Sequence, residues 1–145
     1  MASQNRFILS KYGITHICTI GTGLNPKYPT LYTYLHVSEL DTPGANLRKH
    51  FEKCTAFITQ AIAEGGKVLV HCYAGISRSS TIVIQYLMKE YGMKFAQAHL
   101  HVRNQRWFIC PNPGFKKQLL AFEKELNSIE SQPKEIPVKF LNQQL

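Results

Sequence analysis

Five stretches of the chain repeat apolar residues at helical spacing. The clearest is the last, where Phe115, Leu119, Phe122 and Leu126 form one apolar stripe. Residues that commonly cap helices stand at the ends of several of these stretches, and Asn46 is the predicted N-terminal cap of the second. The pattern predicts helices over residues 6–12, 47–64, 79–91, 95–107 and 114–127.

Three shorter segments, residues 14–20, 30–37 and 67–71, have the β-branched and aromatic content of strands. The third has a Val-Leu-Val centre, which is typical of a strand buried on both faces. Turn residues predict a loop over 38–45. The order of these elements predicts an α/β sandwich with a small, partly parallel central sheet flanked by helices.

The chain has the length and composition of one soluble domain. Its 145 residues are 44% hydrophobic and 18% charged. No apolar run approaches the roughly 20 residues that span a bilayer, and the first ten residues do not resemble a signal peptide. We therefore expect no membrane insertion and a cytoplasmic or nuclear location.

The cysteine spacing and the net charge limit which metals and partners we expect the chain to bind. Cys18, Cys54, Cys72 and Cys110 form no Cys-x-x-Cys pair, so we expect no metal site and buried, reduced thiols at all but Cys72. The net charge of +8 favours acidic partners such as phosphorylated proteins or anionic lipid. The basic residues are scattered and form no long stripe, so we expect no nucleic acid partner.

The segment from His71 to Ser80 carries the strongest functional signal, because it joins a buried strand to the start of a helix. Free backbone N–H groups and the helix dipole make such a junction an anion site. Cys72 is placed where these groups would stabilise a thiolate nucleophile. Arg78 follows on the first helical turn, where its planar fork could hold two oxygens of one phosphate. Gly75 allows the loop backbone to approach a ligand closely.

The pattern His71-Cys-x-x-Gly-x-Ser-Arg-Ser79 resembles the signature of the dual-specificity branch of the protein tyrosine phosphatases. The resemblance extends over residues 2 to 126, through the stretch Pro111-Asn-Pro-Gly-Phe115. It implies a phosphatase-like sandwich with a catalytic domain over 1–127, a C-terminal tail over 128–145, and no cofactor. In that stretch, Asn112 is predicted to cap the last helix.

The resemblance also implies a role for each residue of the signature. Cys72 would attack phosphorus, and Ser79 would stabilise its thiolate as a leaving group. His71 would support the loop. From the residues alone, His71 and Ser79 could equally be a packed strand histidine and a helix N-terminal serine. The phosphate would bind to the Arg78 side chain and to the backbone amides of Tyr73, Ala74, Gly75, Ile76, Ser77 and Arg78.

The family also uses a general acid on a loop about thirty positions before the cysteine. Asp41 lies 31 positions before Cys72 and is the predicted acid. By itself, an aspartate before Thr42-Pro43 is typical of an ordinary turn. Glu39 is the nearest rival.

These assignments predict a protein phosphatase that hydrolyses phosphotyrosine and phosphoserine or phosphothreonine through a phosphocysteine intermediate. Two alternatives stay open: a phosphoinositide phosphatase, and a catalytically weak phosphopeptide-binding module. One departure from the family pattern is the missing strand pair ahead of Asn5. Its absence could expose an edge beside the strand at 67–71, and three alternatives stay open: the domain tolerates a smaller sheet, it forms a homodimer, or the natural protein starts further upstream.

Overall fold

The computed structural model describes residues 2–129, and its elements follow the predicted order. One-turn 3₁₀ helices at Ala2–Gln4 and Arg48–His50 precede the first and second α-helices. The main elements are α1 (Arg6–Lys11), β1 (His16–Ile20), β2 (Thr33–Val37), α2 (Phe51–Ala63), β3 (Val68–His71), α3 (Arg78–Tyr91), α4 (Phe95–Gln105) and α5 (Pro113–Asn127). The predicted tail lies outside the described residues, apart from its first two.

The second helix begins later than its predicted cap. Asn46 Oδ1 accepts the backbone N–H of Lys49 at 3.2 Å and closes the 3₁₀ turn, and α2 starts only at Phe51. The backbone N–H groups of Leu47 and Arg48 donate to Gln118 Oε1 on α5, at 3.0 and 2.9 Å. A partner 70 residues away thus holds the turn, and local spacing does not reveal it.

The three strands form a small sheet in the order β2-β1-β3, with both pairings parallel. The predicted α/β class is confirmed, and every strand of the described sheet is parallel rather than only part of it. Strand β1 is therefore central, and β3 lies at one edge of the sheet formed by residues 2–129. The register places Thr19 opposite His71, at the carboxyl ends of their strands.

Helices cover both faces of this sheet. Helices α2, α3, α4 and α5 contribute to the larger core, in which α3 is the most buried helix. On the other face, Leu9 of α1 packs with Ile17 and Leu69. Helix α3 begins where β3 and its following loop end, so its buried position fixes the loop that contains the signature.

The cysteine prediction is right for two residues and wrong for a third. Cys18 and Cys54 are fully buried, and a hydrogen bond between them together with burial raises the pKa of the Cys18 thiol well above its usual value. Cys110 is exposed. It lies in the connection between α4 and α5, outside the helical pattern that would have buried it.

None of the helices within residues 2–129 is long and apolar enough to cross a bilayer.

Candidate active site

Residues 72–77 form the loop that joins β3 to α3, which we call the signature loop. Ser77 is the N-cap residue of α3, and Arg78 is the first helical residue. The positive end of the helix dipole and its free N–H groups therefore point toward the loop. The predicted junction of strand, loop and helix is present, and such a junction favours an anion.

Cys72 lies at the base of the signature loop and is only 4% exposed. The backbone N–H of Gly75 donates to its sulfur at 3.2 Å. Ser79 Oγ lies 3.2 Å from the same sulfur and is fully buried. Two hydrogen-bonding groups thus lie within reach of the sulfur, and the fold brings Cys72 and Ser79 together.

Gly75 is the residue that allows this geometry. Its φ of +68° is in the left-handed region. An added Cβ would lie 2.5 Å from Nη2 of Arg106, so a larger residue would collide with that guanidinium. Burial lowers the pKa of Arg106, and the nearby Cys72 sulfur opposes this effect. The loop therefore has a second guanidinium against it.

The Arg78 guanidinium is held next to the loop over residues 38–45, which contains Asp41 and which we call the acid loop. Its Nη1 donates to the backbone carbonyl of Glu39 at 2.9 Å, and it packs against Gly21 at the end of β1. The Nε is buried and has no hydrogen-bond partner among the described residues. A buried donor without a partner is costly, and an oxygen of a bound phosphate would satisfy it.

The C-terminal part of the signature loop is hydrogen-bonded to the connection between α4 and α5. The carbonyl of Ile76 accepts the Cys110 N–H at 2.8 Å, and Ser77 Oγ accepts the Asn112 N–H at 2.9 Å. The side chains of Tyr73 and Ala74 point to solvent. The backbone of the signature loop is thus held in place at Ile76 and Ser77, while the side chains of Tyr73 and Ala74 remain exposed.

His71 is mostly buried at the end of β3. Its Nε2 lies 2.7 Å from Thr19 Oγ1, on the neighbouring strand. Burial lowers the pKa of His71 to about 4, so the imidazole is neutral at neutral pH. A neutral ring bonded to β1 is suited to holding the start of the signature loop in place.

Asp41 is exposed on the loop after β2 and reaches the signature loop through Asn112. Asn112 Nδ2 donates to Asp41 Oδ1 at 2.9 Å, while Asn112 Oδ1 caps α5 by accepting the N–H of Phe115. The predicted cap is present, and Asn112 has a second contact that the sequence did not predict. Gly114 packs so closely on the Pro43 carbonyl that a Cβ there would overlap it. The start of α5 thus positions the acid loop.

Glu39 is engaged elsewhere. Its carboxylate accepts from His50 Nε2 at 2.9 Å and pairs with Lys49 Nζ at 3.0 Å. These contacts lower the pKa of Glu39, so the group stays ionised near neutrality. A carboxylate that is already bonded to Lys49 and His50 is held away from a substrate, and this disfavours Glu39 as the acid.

Sequence reasoning did not identify Arg106 or the second contact of Asn112 as parts of this site. Arg106 lies 34 positions after Cys72 and directly follows α4, and nothing in the local pattern sets it apart from the basic residues of that helix. The stretch Pro111-Asn-Pro-Gly is a usable signal, since a helix cap inside a stretch that resembles the family is a candidate for contact with the site.

Comparison with known proteins agrees with this geometry. Residues 2–125 match the family model for the dual specificity phosphatase catalytic domain. The chain is 44% identical over 125 residues to dual specificity protein phosphatase 1 of Arabidopsis thaliana, and 39% identical over 136 residues to dual specificity protein phosphatase 19 of Mus musculus.

The alignments cover 86% and 92% of this chain, but only 63% and 62% of the lengths of these two relatives. Among solved structures, the human tyrosine phosphatase-like serine/threonine/tyrosine-interacting protein superposes with a TM-score of 0.84. It is 37% identical, and the match covers 87% of this chain and 88% of that one.

Proposed function

The chain belongs to the dual specificity phosphatase family, and from that premise we propose that it hydrolyses phosphotyrosine and phosphoserine or phosphothreonine in proteins. The observation that carries the proposal is the set of groups around one sulfur. Cys72 is flanked by the Gly75 N–H and Ser79 Oγ, at the start of a helix whose first residue is Arg78. We assign residues 1–127 to the catalytic domain and 128–145 to a tail.

In the first step the Cys72 thiolate attacks phosphorus, and the bond between phosphorus and the substrate oxygen breaks. The Arg78 side chain and the amides of the signature loop hold the phosphate oxygens and stabilise the charge that they carry. Asp41 donates a proton to the departing oxygen, so the product is an alcohol or phenol rather than its anion. The enzyme then carries a phosphocysteine.

In the second step water attacks this phosphocysteine. The Asp41 carboxylate takes a proton from the water, the bond between sulfur and phosphorus breaks, and inorganic phosphate forms. Cys72 leaves as a thiolate, which the Ser79 hydroxyl and the Gly75 N–H stabilise by hydrogen bonds. The cycle returns Asp41 to its protonated form and requires no metal or organic cofactor.

The site chemistry favours a protein substrate over the two alternatives. The loop side chains Tyr73, Ala74 and Ile76 are uncharged, whereas an inositol lipid with several phosphates would favour cations there. A binding module without catalysis would not need Cys72, Arg78 and Asp41 together. A thiolate mechanism also needs a reducing compartment, which supports a cytoplasmic or nuclear location.

Phosphate release from phosphotyrosine and phosphothreonine peptides tests the proposal. We expect turnover with the wild type and none with Cys72→Ser, while Cys110→Ser, which changes an exposed cysteine, keeps full activity. Acid quench of the wild type during turnover should trap a phosphate on the Cys72 peptide, detectable by mass spectrometry. Peptide binding without turnover by the wild type would instead indicate a phosphopeptide-binding module.

A further inference from the structure

The front of the candidate site carries five exposed apolar side chains, which we call the apolar rim: Leu40, Tyr73, Ile76, Trp107 and Phe108. Trp107 is 80% exposed, Tyr73 72% and Leu40 55%. They are five of the eleven large apolar side chains exposed within residues 2–129, although they come from three separate loops. Exposed apolar patches of this kind mark surfaces that bind a partner.

The rim is connected directly to the signature loop. Tyr73 and Ile76 belong to the loop itself, and the Ile76 carbonyl is bonded to Cys110, two residues after Phe108. The Phe108 ring lies 4.3 Å under the guanidinium of Arg106, which packs against Gly75. Trp107 contacts Phe108 edge to face, with 5.5 Å between the ring centroids.

Leu40 is the member of the rim that belongs to the loop after β2. It lies between Glu39, whose carbonyl holds Arg78, and Asp41, the proposed acid. All three loops of the rim thus contact the signature loop or Arg78, so the residues next to a phosphorylated side chain at Cys72 lie close to the rim. We infer that the apolar rim is a specificity surface for bulky apolar residues next to the phosphorylated side chain of a protein substrate.

This inference rests on the proposed phosphatase function and adds the chemistry of the preferred substrate. The uncharged loop side chains support a peptide as the occupant. A peptide with polar neighbours would leave the rim in water, whereas one with leucine neighbours would bury it. Partial burial of one or two such side chains corresponds to a preference of about tenfold.

The test uses two phosphotyrosine peptides of equal length and charge, one with leucine and the other with serine on both sides of the phosphotyrosine. We expect the wild type to have about tenfold higher kcat/KM for the leucine peptide. Trp107→Ser should reduce this ratio to about twofold. Phe7→Ser is the matched control, because Phe7 is 76% exposed but lies on α1, away from the site. Gly13, which follows α1, packs against Lys67, and Lys67 precedes β3 at the end of that strand opposite to Cys72. Phe7→Ser should leave the ratio unchanged.

Tryptophan fluorescence gives a readout that does not depend on turnover. Trp107 is the sole tryptophan of the chain, so its emission reports on the rim alone. In the non-hydrolysing Cys72→Ser protein, the leucine peptide should shift the emission to shorter wavelength, and the serine peptide should shift it less.

Several results would overturn the inference. Equal kcat/KM for the two peptides, or an unchanged ratio in Trp107→Ser, would show that the rim does not select substrates. An emission shift with phosphatidylserine vesicles but with neither peptide would assign the rim to a lipid surface. A dimer in light scattering that Trp107→Ser converts to a monomer would assign it to a second copy of the chain. Failure of the wild type to hydrolyse either peptide would instead contradict the proposed function.

Discussion

Replacing Asp41 by asparagine removes the proposed acid while keeping its shape. The amide oxygen of the new side chain can still accept from Asn112 Nδ2, as Oδ1 of Asp41 does at 2.9 Å, so the loop should keep its position. The expected loss is therefore that of proton transfer alone. A positioned acid contributes about 10²- to 10⁴-fold, which corresponds to about 3 to 5 kcal/mol in the barrier.

The loss should depend on the leaving group. With a phosphothreonine peptide, whose alkoxide leaves poorly, Asp41→Asn should lose most of this factor, and with p-nitrophenyl phosphate, whose phenolate leaves readily, it should lose much less. The assay is kcat/KM for both substrates.

Glu39→Gln is the control. Its carboxylate is paired with Lys49 and His50, and the contact with Arg78 uses the backbone carbonyl, which the substitution preserves. We expect any loss to be equal for the two substrates. The reasoning is refuted if Asp41→Asn lowers kcat/KM equally for both substrates, while Glu39→Gln shows the dependence on the leaving group.

Three further predictions concern other residues of the site. Arg78→Lys should lower kcat/KM on the order of 100-fold, nearly as much as Arg78→Ala, because an ammonium cannot hold two phosphate oxygens; near wild-type kcat/KM would show that charge alone suffices. Iodoacetate at mildly acidic pH should modify Cys72 before the exposed Cys110, and vanadate should protect Cys72; mass spectrometry that finds Cys110 modified first would contradict the assignment. The pKa of His71 is about 4 in the folded protein, against 6.5 when unperturbed. Between these two pH values the unfolded state binds a proton that the folded state does not bind. The free energy of unfolding should therefore fall by about 3 kcal/mol as the pH drops from 6.5 toward 4. Urea denaturation should show a smaller fall for His71→Asn, and equal pH slopes in the two proteins would count against this account.

Several properties of the site were predictable because they are local in the chain. Cys72, Gly75, Arg78 and Ser79 lie within eight residues, between a strand and a helix that their own apolar patterns predict. A loop this short leaves little freedom, so the identity of the residues and the anion-binding end of the helix already indicate the chemistry. The helix and strand order was predictable for the same reason, since each element depends on near neighbours.

The tertiary structure decided what depends on residues far apart in the chain. Only the packing of α5 on the acid loop shows that Asn112 holds Asp41, and only the fold pairs Glu39 with Lys49 and His50, which favours Asp41 as the acid.

Arg106 and the apolar rim likewise come together from loops more than thirty positions apart. A sequence pattern describes neighbours along the chain, whereas the pairing of distant side chains depends on how helices pack over the sheet. The signature therefore indicates the reaction class, whereas the three-dimensional packing favours Asp41 as the acid and brings Arg106 and the apolar rim to the site.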